Sequence, residues 1–407
     1  MYEEILTLSR RFLEIKYIPY RRYFIQKLKL HHRLSIIIGQ RGVGKTTTLI
    51  QTLRDLADVS DKRILYVQAD HFQIGSISMY EIADQFHQMG GELIAFDEIH
   101  KYPEWSKELK SIYDTFPKLK VLASGSSALE IFRGSHDLTR RAICYHMQGL
   151  SFREYLELVY DLELPTFSLT DLCKGHEKLA AGIFERLEEH KIKVRAAFTH
   201  YLKSGYYPYF NELNDDELYA ITLEQNIHTT IESDLAAIYP TLRGNSLRKI
   251  KQLLSFIAHA VPFVPEWKKI QDLLDIPDSR TLKSYFKQLE DADLIQIVAK
   301  PGGKLNQVES AGKVYLNNTN QLYAISSQNP NPGTVRETFF LNMLKVEHEV
   351  RVAKSGDFVV DDLTFEVGGK NKSFNQVKGN DKAYLACDGI EAGIGHKIPL
   401  WIFGFLY

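Results

Sequence analysis

The amino-acid sequence predicts an α/β fold for its first 150 residues, with a parallel sheet covered by helices on both faces. A β-branched run, Leu34–Ile38, ends at a glycine-rich loop, and a helical stretch follows from Thr46 to about Ala57. Apolar strands are also predicted at Arg63–Val67, Glu92–Phe96, Lys120–Ala123 and Ala142–Tyr145, with a helix over Trp105–Phe116. Buried apolar strands that alternate with helices are typical of parallel sheets.

The composition is that of a globular protein. The chain has 407 residues, 44% of them hydrophobic, and 50 Lys and Arg against 51 Asp and Glu give a formal net charge of −1. This balance excludes a histone-like coat for nucleic acid. The three cysteines are far apart and the histidines show no metal-binding spacing, so we expect neither a disulfide framework nor a zinc site. Without a signal peptide or an apolar run of ~20 residues, a cytoplasmic protein with no membrane segment is expected.

The glycine-rich loop matches the phosphate-binding pattern G-x-x-x-x-G-K-[ST]. It comprises Gly39, Gln40, Arg41, Gly42, Val43, Gly44, Lys45 and Thr46, with Thr47 directly after it. Such a loop between a strand and a helix directs backbone N–H groups and the helix N-terminus at a nucleotide phosphate. Lys45 is then expected to bind the β- and γ-phosphates, and the Thr46 hydroxyl to bind Mg²⁺.

A pair of acids ends the predicted strand that follows roughly 50 residues later. Asp97 and Glu98 come directly after five apolar residues. Asp97 is expected to hold Mg²⁺ together with Thr46, and Glu98 to polarise the attacking water. The pair is therefore interpreted as the metal-binding and catalytic acids of the same phosphate site.

Two further catalytic residues are predicted. Ser124 ends the Lys120–Ala123 strand and is expected to bind the γ-phosphate or the attacking water, although the run Ser124–Ser127 is equally interpretable as a turn that caps a helix at Ala128. Arg133, Arg140 and Arg141 follow it. Arg141 is preferred as the arginine that stabilises the transferred phosphate, in cis or from a neighbouring subunit of an oligomer, because it begins the fifth predicted strand.

Together these motifs resemble the prokaryotic AAA+-type ATPases. The resemblance rests on Gly39–Thr47, Phe96–His100, Ser124–Ser127 and Leu150–Tyr155. It implies a sheet in which the strand of the catalytic glutamate lies between the phosphate-loop strand and the outer strand. It also implies an N-terminal ATPase domain, a helical and winged-helix middle and a C-terminal domain of uncertain function. Members usually have Gly-Arg where this chain has Arg140-Arg141.

The remainder of the chain is predicted to form three regions. These are a helical segment over 151–240, a winged-helix-like domain over 241–327 and a C-terminal α+β domain over 328–407. Residues 1–150 form the ATP-binding domain in this division. The linker Gln328–Gly333 separates the last two regions.

The winged-helix-like region offers a candidate nucleic-acid surface. Helices are predicted at Leu247–Ala258, Trp267–Leu274 and Ser279–Asp291, followed by a hairpin. In the third helix Arg280, Lys283 and Lys287 share one face, as in a recognition helix. The region carries 12 Lys and Arg against 8 Asp and Glu. DNA binding and a protein-interaction role with an ordinary solvated face both remain open.

The C-terminal region resembles the restriction-endonuclease-like nuclease fold. The resemblance rests on Glu337 in a helix, Asp357 before a strand and Glu366 within the next strand. The fold places a lysine two residues after the glutamate, but here that position is Gly368 and the first lysine is Lys370. Either Lys370 turns back at the glycines or the site is inactive, and the inactive version is favoured.

The leading hypothesis is a Mg²⁺-dependent ATPase of the P-loop class whose hydrolysis drives a conformational switch on DNA or a protein partner. No guanine-selecting N-K-x-D stretch is present, which favours ATP. Two alternatives remain: an ATP-responsive DNA-binding regulator with negligible turnover, and an ATP-coupled nuclease that uses Asp357 and Glu366.

Overall fold

A computed structural model of the chain shows two compact units. Unit 1 comprises Met1–Gly149 and Thr229–Arg243, and unit 2 comprises Leu150–His228 and Gly244–Tyr407. The structure describes residues 2–28, 32–71, 77–102, 104–125, 138, 140–213, 215–239, 241–305, 307–326, 330–374 and 379–407. The predicted turn Ser126–Ser127, the cap at Ala128, Arg133 and part of the Gln328–Gly333 linker lie outside these ranges.

Unit 1 is an α/β unit, as the sequence predicts. Its helices are α1 (Tyr2–Ile15), α2 (Tyr23–Lys27), α3 (Lys45–Leu56), α4 (Met79–Gln88) and α5 (Trp105–Thr115). Its strands are β1 (Leu34–Ile38), β2 (Ile64–Gln68), β3 (Leu93–Asp97), β4 (Lys120–Gly125) and β5 (Ala142–His146). The predicted strand and helix positions are confirmed to within two residues.

The described strands of unit 1 form one sheet of order β2-β3-β4-β1-β5, and every neighbouring pair is parallel. β4 therefore lies between the phosphate-loop strand β1 and the acid-bearing strand β3, with β2 outermost beyond β3. β1 and β3 are buried along their whole length. Because the strands are parallel, all five carboxyl ends meet at one edge of the sheet, and functional residues are expected there.

The core of unit 1 explains why these segments fold as they do. Apolar side chains of β1, β2 and β3 pack with Ile82 and Phe86 of α4 and with Leu109 and Ile112 of α5. α4 begins at a capping box, in which Ser78 and Glu81 satisfy each other's free backbone N–H groups. The helices thus cover a sheet that has no polar face of its own.

Unit 2 begins with the helical segment that the sequence predicts. The helices from Phe152 to Ile238 are α6 (Phe152–Tyr160), α7 (Leu169–Glu189), α8 (Val194–Ser204), α9 (Phe210–Leu213), α10 (Asp216–Thr229) and α11 (Leu235–Ile238), of which α11 belongs to unit 1. A π-helical turn, Thr230–Asp234, joins α10 to α11.

Among the described residues, the rest of unit 2 contains five α-helices and a seven-stranded sheet that includes a hairpin. The helices are α12 (Asn245–Ala260), α13 (Trp267–Leu273), α14 (Ser279–Asp291), α15 (Thr319–Ile325) and α16 (Pro332–Leu344). The strands are β6 (Ile295–Ala299), β7 (Ala311–Leu316), β8 (Val350–Val352), β9 (Phe358–Val360), β10 (Leu363–Gly368), β11 (Ala383–Cys387) and β12 (Lys397–Pro399).

The predicted boundary between residues 327 and 328 does not separate two compact units. The hairpin β6–β7 and the later strands share one sheet of order β12-β11-β10-β9-β8-β6-β7. Ala299 of β6 pairs with Arg351 of β8, so a backbone ladder continues across the predicted boundary. Strand pairing between distant segments left no local signal in the sequence. Among the described residues, no helix is long and apolar enough to cross a membrane.

Candidate functional site: the phosphate loop and its acids

The loop between β1 and α3 has the backbone that the glycine pattern requires. Gly39 has φ +155°, and a Cβ there would lie 2.3 Å from the carbonyl oxygen of Met147. Gly44 has φ +101° and precedes the first residue of α3. Any larger residue at either position would strain the turn. The first N–H groups of α3, which have no acceptor within the helix, therefore open onto the loop.

Lys45 lies inside this loop rather than in solvent. Its ammonium group donates hydrogen bonds to the carbonyl oxygens of Gly39 (2.8 Å) and Gln40 (2.7 Å). Burial lowers the pKa of Lys45, an effect that the charges of Glu98 and Asp97 oppose. A phosphate would offer this buried cation a stronger, charged partner than the two carbonyls.

Asp97 ends β3 and is surrounded by hydroxyl groups. Its Oδ2 accepts hydrogen bonds from Thr46 Oγ1 (2.7 Å) and from Tyr66 Oη (2.6 Å). Its Oδ1 accepts a short hydrogen bond from Ser124 Oγ. The structure thus brings together three predicted residues, Thr46, Asp97 and Ser124. The sequence analysis missed Tyr66, although it lies on a strand next to β3.

Glu98 follows Asp97 at the same edge of the sheet. Its backbone is left-handed, with φ 56°, which is costly for a residue other than glycine. Its N–H group donates to Ser124 Oγ at 3.2 Å. Its carboxylate oxygen Oε2 is buried, has no hydrogen-bond partner among the described residues, and lies 3.6 Å from His100 Nε2 and 3.5 Å from Lys101 Nζ. The predicted general base is thus strained and under-bonded.

Two arginines that sequence reasoning did not assign hold the loop in place. Arg22, which is buried, donates hydrogen bonds to the carbonyl oxygens of Val43 (2.8 Å) and Gln148 (2.8 Å). Arg41 was predicted only as a loop residue, but its guanidinium binds the Asp234 carboxylate through two hydrogen bonds of 2.9 and 2.6 Å. Both partners are remote in sequence, so no local pattern signalled them.

The predicted placement of Arg141 next to the phosphate loop is wrong. Parallel pairing puts Ala142, the first residue of β5, beside Leu34, the first residue of β1. Arg141 therefore lies at the edge of the sheet where the strands begin, whereas the loop follows their ends. Its guanidinium pairs with the Asp114 carboxylate at the end of α5, at 2.8 and 3.0 Å.

The basic helix face in unit 2 is partly neutralised. α14 begins at Ser279 with Asp278 as its N-cap and buries Leu282, Phe286 and Leu289, as predicted. Lys287 pairs with Asp291 at 2.7 Å, and Lys283 lies 3.6 Å from Glu309. Arg280 is exposed. The three basic residues predicted to contact DNA therefore carry less free positive charge than the sequence indicates.

The acids of the C-terminal region are close together and paired with lysines. Lys313 Nζ lies 3.3 Å from both the Glu337 and the Asp357 carboxylates. Glu366 pairs at 2.5 Å with Lys372, not with the predicted Lys370. In the described part of the chain, no group of three or more His, Cys, Asp or Glu residues forms a set that could hold a metal ion. Both acids that a metal site of this type would use, Asp357 and Glu366, are paired with lysines.

Comparisons with known proteins support the assignment of unit 1. Residues 31–156 match the family model of an AAA domain. With the five-stranded parallel sheet and the loop geometry, this gives unit 1 the fold of a P-loop ATPase. Residues 195–331 match a domain of unknown function. The AAA match covers less than a third of the chain, so it describes the domain and not the whole protein.

One protein sequence and two solved structures show a more distant similarity to this chain. An uncharacterized protein of Methanocaldococcus jannaschii is 26% identical over 299 residues, and this match spans 69% of the chain but only 60% of that relative. The AMPPCP-bound DnaA of Aquifex aeolicus has a TM-score of 0.27 at 16% identity, covering 65% of this chain and 84% of its own. C. elegans PCH-2 has a TM-score of 0.25 at 12% sequence identity. This match covers 43% of this chain and 48% of the PCH-2 chain. At these TM-scores the two structures say nothing about function.

Proposed function

We propose that this chain is a Mg²⁺-dependent ATPase whose hydrolysis drives a conformational switch. One observation carries the proposal: Lys45, Thr46, Asp97, Ser124 and Glu98 converge at the carboxyl edge of the sheet, in the contacts described above. A phosphate loop alone would serve binding. The adjacent acid pair, Asp97 bonded to Thr46 and Glu98 directly after it, adds the metal-binding and water-orienting groups that hydrolysis uses.

Each residue has a distinct task in this proposal. The loop amides and Lys45 bind the β- and γ-phosphates of ATP. Glu98 orients the attacking water and takes its proton as the water oxygen bonds to the γ-phosphorus and the bond from that phosphorus to the ADP leaving group breaks. The Ser124 hydroxyl group donates a hydrogen bond to the Asp97 carboxylate and accepts one from the Glu98 backbone N–H. Ser124 therefore keeps the two acids in position relative to each other.

The residues present fit a Mg²⁺ ion. Mg²⁺ prefers oxygen ligands and is usually held by one or two carboxylates together with substrate phosphates. Thr46 Oγ1 and Asp97 Oδ2, 2.7 Å apart, supply such oxygens beside the loop. These two side chains would hold the ion, and the ion would neutralise charge on the phosphates.

The proposal is tested with the Glu98→Gln variant. We expect it to bind a fluorescent ADP or ATP analogue as tightly as the wild type while phosphate release falls about 100-fold or more, since general-base catalysis contributes that much. ATP and GTP should be compared, because adenine selectivity rests on the sequence alone. Wild-type protein that binds nucleotide but releases no phosphate would contradict the proposal.

Glu104→Gln is a matched control. Glu104 also has a left-handed backbone, with φ 61°, but its side chain is 61% exposed and pairs with Lys107. It should leave phosphate release unchanged. If Glu98→Gln and Glu104→Gln behave alike, Glu98 is not the base.

A DNA-bound regulator with negligible turnover is separated by the same assay. Phosphate release should be measured with and without duplex DNA at low and high salt, because phosphate contacts weaken steeply as salt rises. Turnover in the absence of DNA favours the ATPase. DNA binding without turnover would favour the regulator, and then Lys283→Ala and Arg280→Ala should weaken binding.

A further inference from the structure

A charged side chain of the phosphate loop is bound by a residue from much further along the chain. Arg41 and Asp234 are separated by 193 positions and form a two-pronged guanidinium–carboxylate pair. The Asp234 side chain is 1% exposed. Burial alone would raise its pKa, but His100 and Arg41 outweigh burial and lower it. Asp234 is therefore a charged, buried anchor, and removing one partner of such a pair is costly.

His100 lies between this anchor and the predicted general base. Its side chain is fully buried, and Nε2 is 3.6 Å from Asp234 Oδ1 and 3.6 Å from Glu98 Oε2. The same ring nitrogen thus faces both carboxylates. His100 was interpreted from the sequence as an ordinary polar residue, and its burial at this position changes that interpretation.

The backbone that carries Asp234 is irregular. Asp234 is the last residue of the π-helical turn Thr230–Asp234, between α10 and α11. Such turns inside helices occur frequently at functional sites, because the wider turn redirects the side chains that follow. The buried side chains of Ile231 and Leu235 hold the turn in place on either side of Asp234. The segment Thr229–Arg243 belongs to unit 1, although it follows unit 2 residues in the sequence, and it places the Asp234 carboxylate beside the phosphate loop.

We propose that Asp234 and His100 are positioning residues for Glu98, and that through Arg41 they tie the segment Thr229–Arg243 to the phosphate loop. The inference rests on the proposed ATPase function. Asp234 binds Arg41 and lies beside His100 Nε2, and the same ring nitrogen faces the Glu98 carboxylate, so the imidazole sets the spacing of the two acids. Turnover therefore depends on where this segment lies, even when the loop itself is intact.

The test compares Asp234→Asn, His100→Asn and the double variant. We expect each single variant to lower kcat by about tenfold to a hundredfold, as misplacement of a catalytic group does, while the Kd for a fluorescent ADP analogue changes less than about threefold. Because the two residues act as one unit, the double variant should be no slower than the slower single variant. Asp234→Glu, which keeps the charge, should recover part of the rate.

Asp61→Asn is the matched control. Asp61 forms a similar two-pronged pair with Arg63, but the pair is local in sequence and exposed. It should leave kcat and Kd unchanged. Wild-type kcat in Asp234→Asn, or rate losses that multiply in the double variant, would overturn the inference.

Folding and the basic function are checked separately. If circular dichroism shows that Asp234→Asn is unfolded, His100→Asn and Asp234→Glu decide the question. Equal losses in kcat, nucleotide affinity and melting temperature in those variants would indicate a merely structural role and overturn the inference. Wild-type protein without phosphate release would instead refute the proposed ATPase, whereas wild-type turnover with an unaffected His100→Asn refutes only the positioning role.

Discussion

Two carboxylate clusters, one in each unit, are compensated in different ways. In unit 1, Asp97 accepts hydrogen bonds from three neutral hydroxyl groups, on Thr46, Tyr66 and Ser124. In unit 2, the acids are compensated by ammonium groups, Lys313 beside Glu337 and Asp357, and Lys372 beside Glu366. Hydroxyl donors orient a carboxylate but leave its negative charge. Lysines cancel that charge.

This difference separates a site that is prepared for ligands from one that is internally complete. A cation can bind beside Asp97, whose described side-chain partners are neutral hydroxyl groups, and an anion can bind beside Lys45, whose described partners are carbonyls. In the unit 2 cluster two lysines already pair with the three carboxylates. The cluster around Asp97 can therefore bind a metal ion and a phosphate, whereas the acids of the unit 2 cluster are already paired with lysines.

The largest effect is expected from Lys45→Ala. Hydrogen bonds to charged groups contribute roughly 1.5–3 kcal/mol each, and Lys45 should make such bonds to two phosphates. Nucleotide affinity should fall about 100-fold or more, measured by titration with a fluorescent ADP analogue. Lys107→Ala, an exposed lysine of α5, is the control and should bind normally. Retained binding in Lys45→Ala would place the ligand elsewhere.

The sequence predicted those parts of unit 1 that depend on local pattern. The loop glycines, the apolar strands and the acid pair each leave a signal within ten residues or so. Parallel strands then bring Ser124, Asp97 and the loop to one edge. Strand direction also shows why Arg141 was misplaced: it stands at the start of β5, and only strand ends meet the loop.

Long-range pairs were beyond sequence reasoning. Asp234 lies 193 residues from Arg41, and nothing around it marks a binding residue. Lys372, rather than Lys370, pairs with Glu366, because the backbone after β10 brings the Lys372 side chain over Gly368. A Cβ at residue 368 would lie only 2.5 Å from Lys372 Cγ. The hairpin β6–β7 joins the later strands through a single parallel bridge across the predicted linker. Each of these features is decided by tertiary packing rather than by a local pattern.

A moderate effect is expected from Tyr66→Phe. The change removes one of the hydroxyl donors to Asp97, and Thr46 still donates to the same oxygen. A lost hydrogen bond of this kind should lower the free energy of unfolding by about 1 kcal/mol. The free energies of unfolding in urea of Tyr66→Phe and of the control Tyr113→Phe are compared. The Tyr113 ring stacks on Arg33, and phenylalanine keeps that ring. Equal stabilities would show that the Tyr66 hydroxyl does not support Asp97.

The smallest effect concerns pH, and its sign should differ between the units. Burial, reinforced by the charge of Asp357, raises the pKa of Glu337, whereas the pKa of Asp234 is lowered. A raised carboxyl pKa stabilises the fold below the unfolded value, about 4.3, and this contribution is lost as the pH rises through the folded pKa. A lowered pKa stabilises the fold above about 3.9 and is lost as the pH falls.

Urea unfolding of Glu337→Gln and Asp234→Asn from about pH 2 to about pH 8 therefore tests the contrast directly. The free energy of unfolding of the wild type, relative to that of Glu337→Gln, should fall as the pH rises. Relative to that of Asp234→Asn, it should fall as the pH falls. The slopes should have opposite signs because one acid is dominated by desolvation and the other by a guanidinium and an imidazole. Slopes of the same sign would contradict the assignment of desolvation to Glu337 and of charge pairing to Asp234.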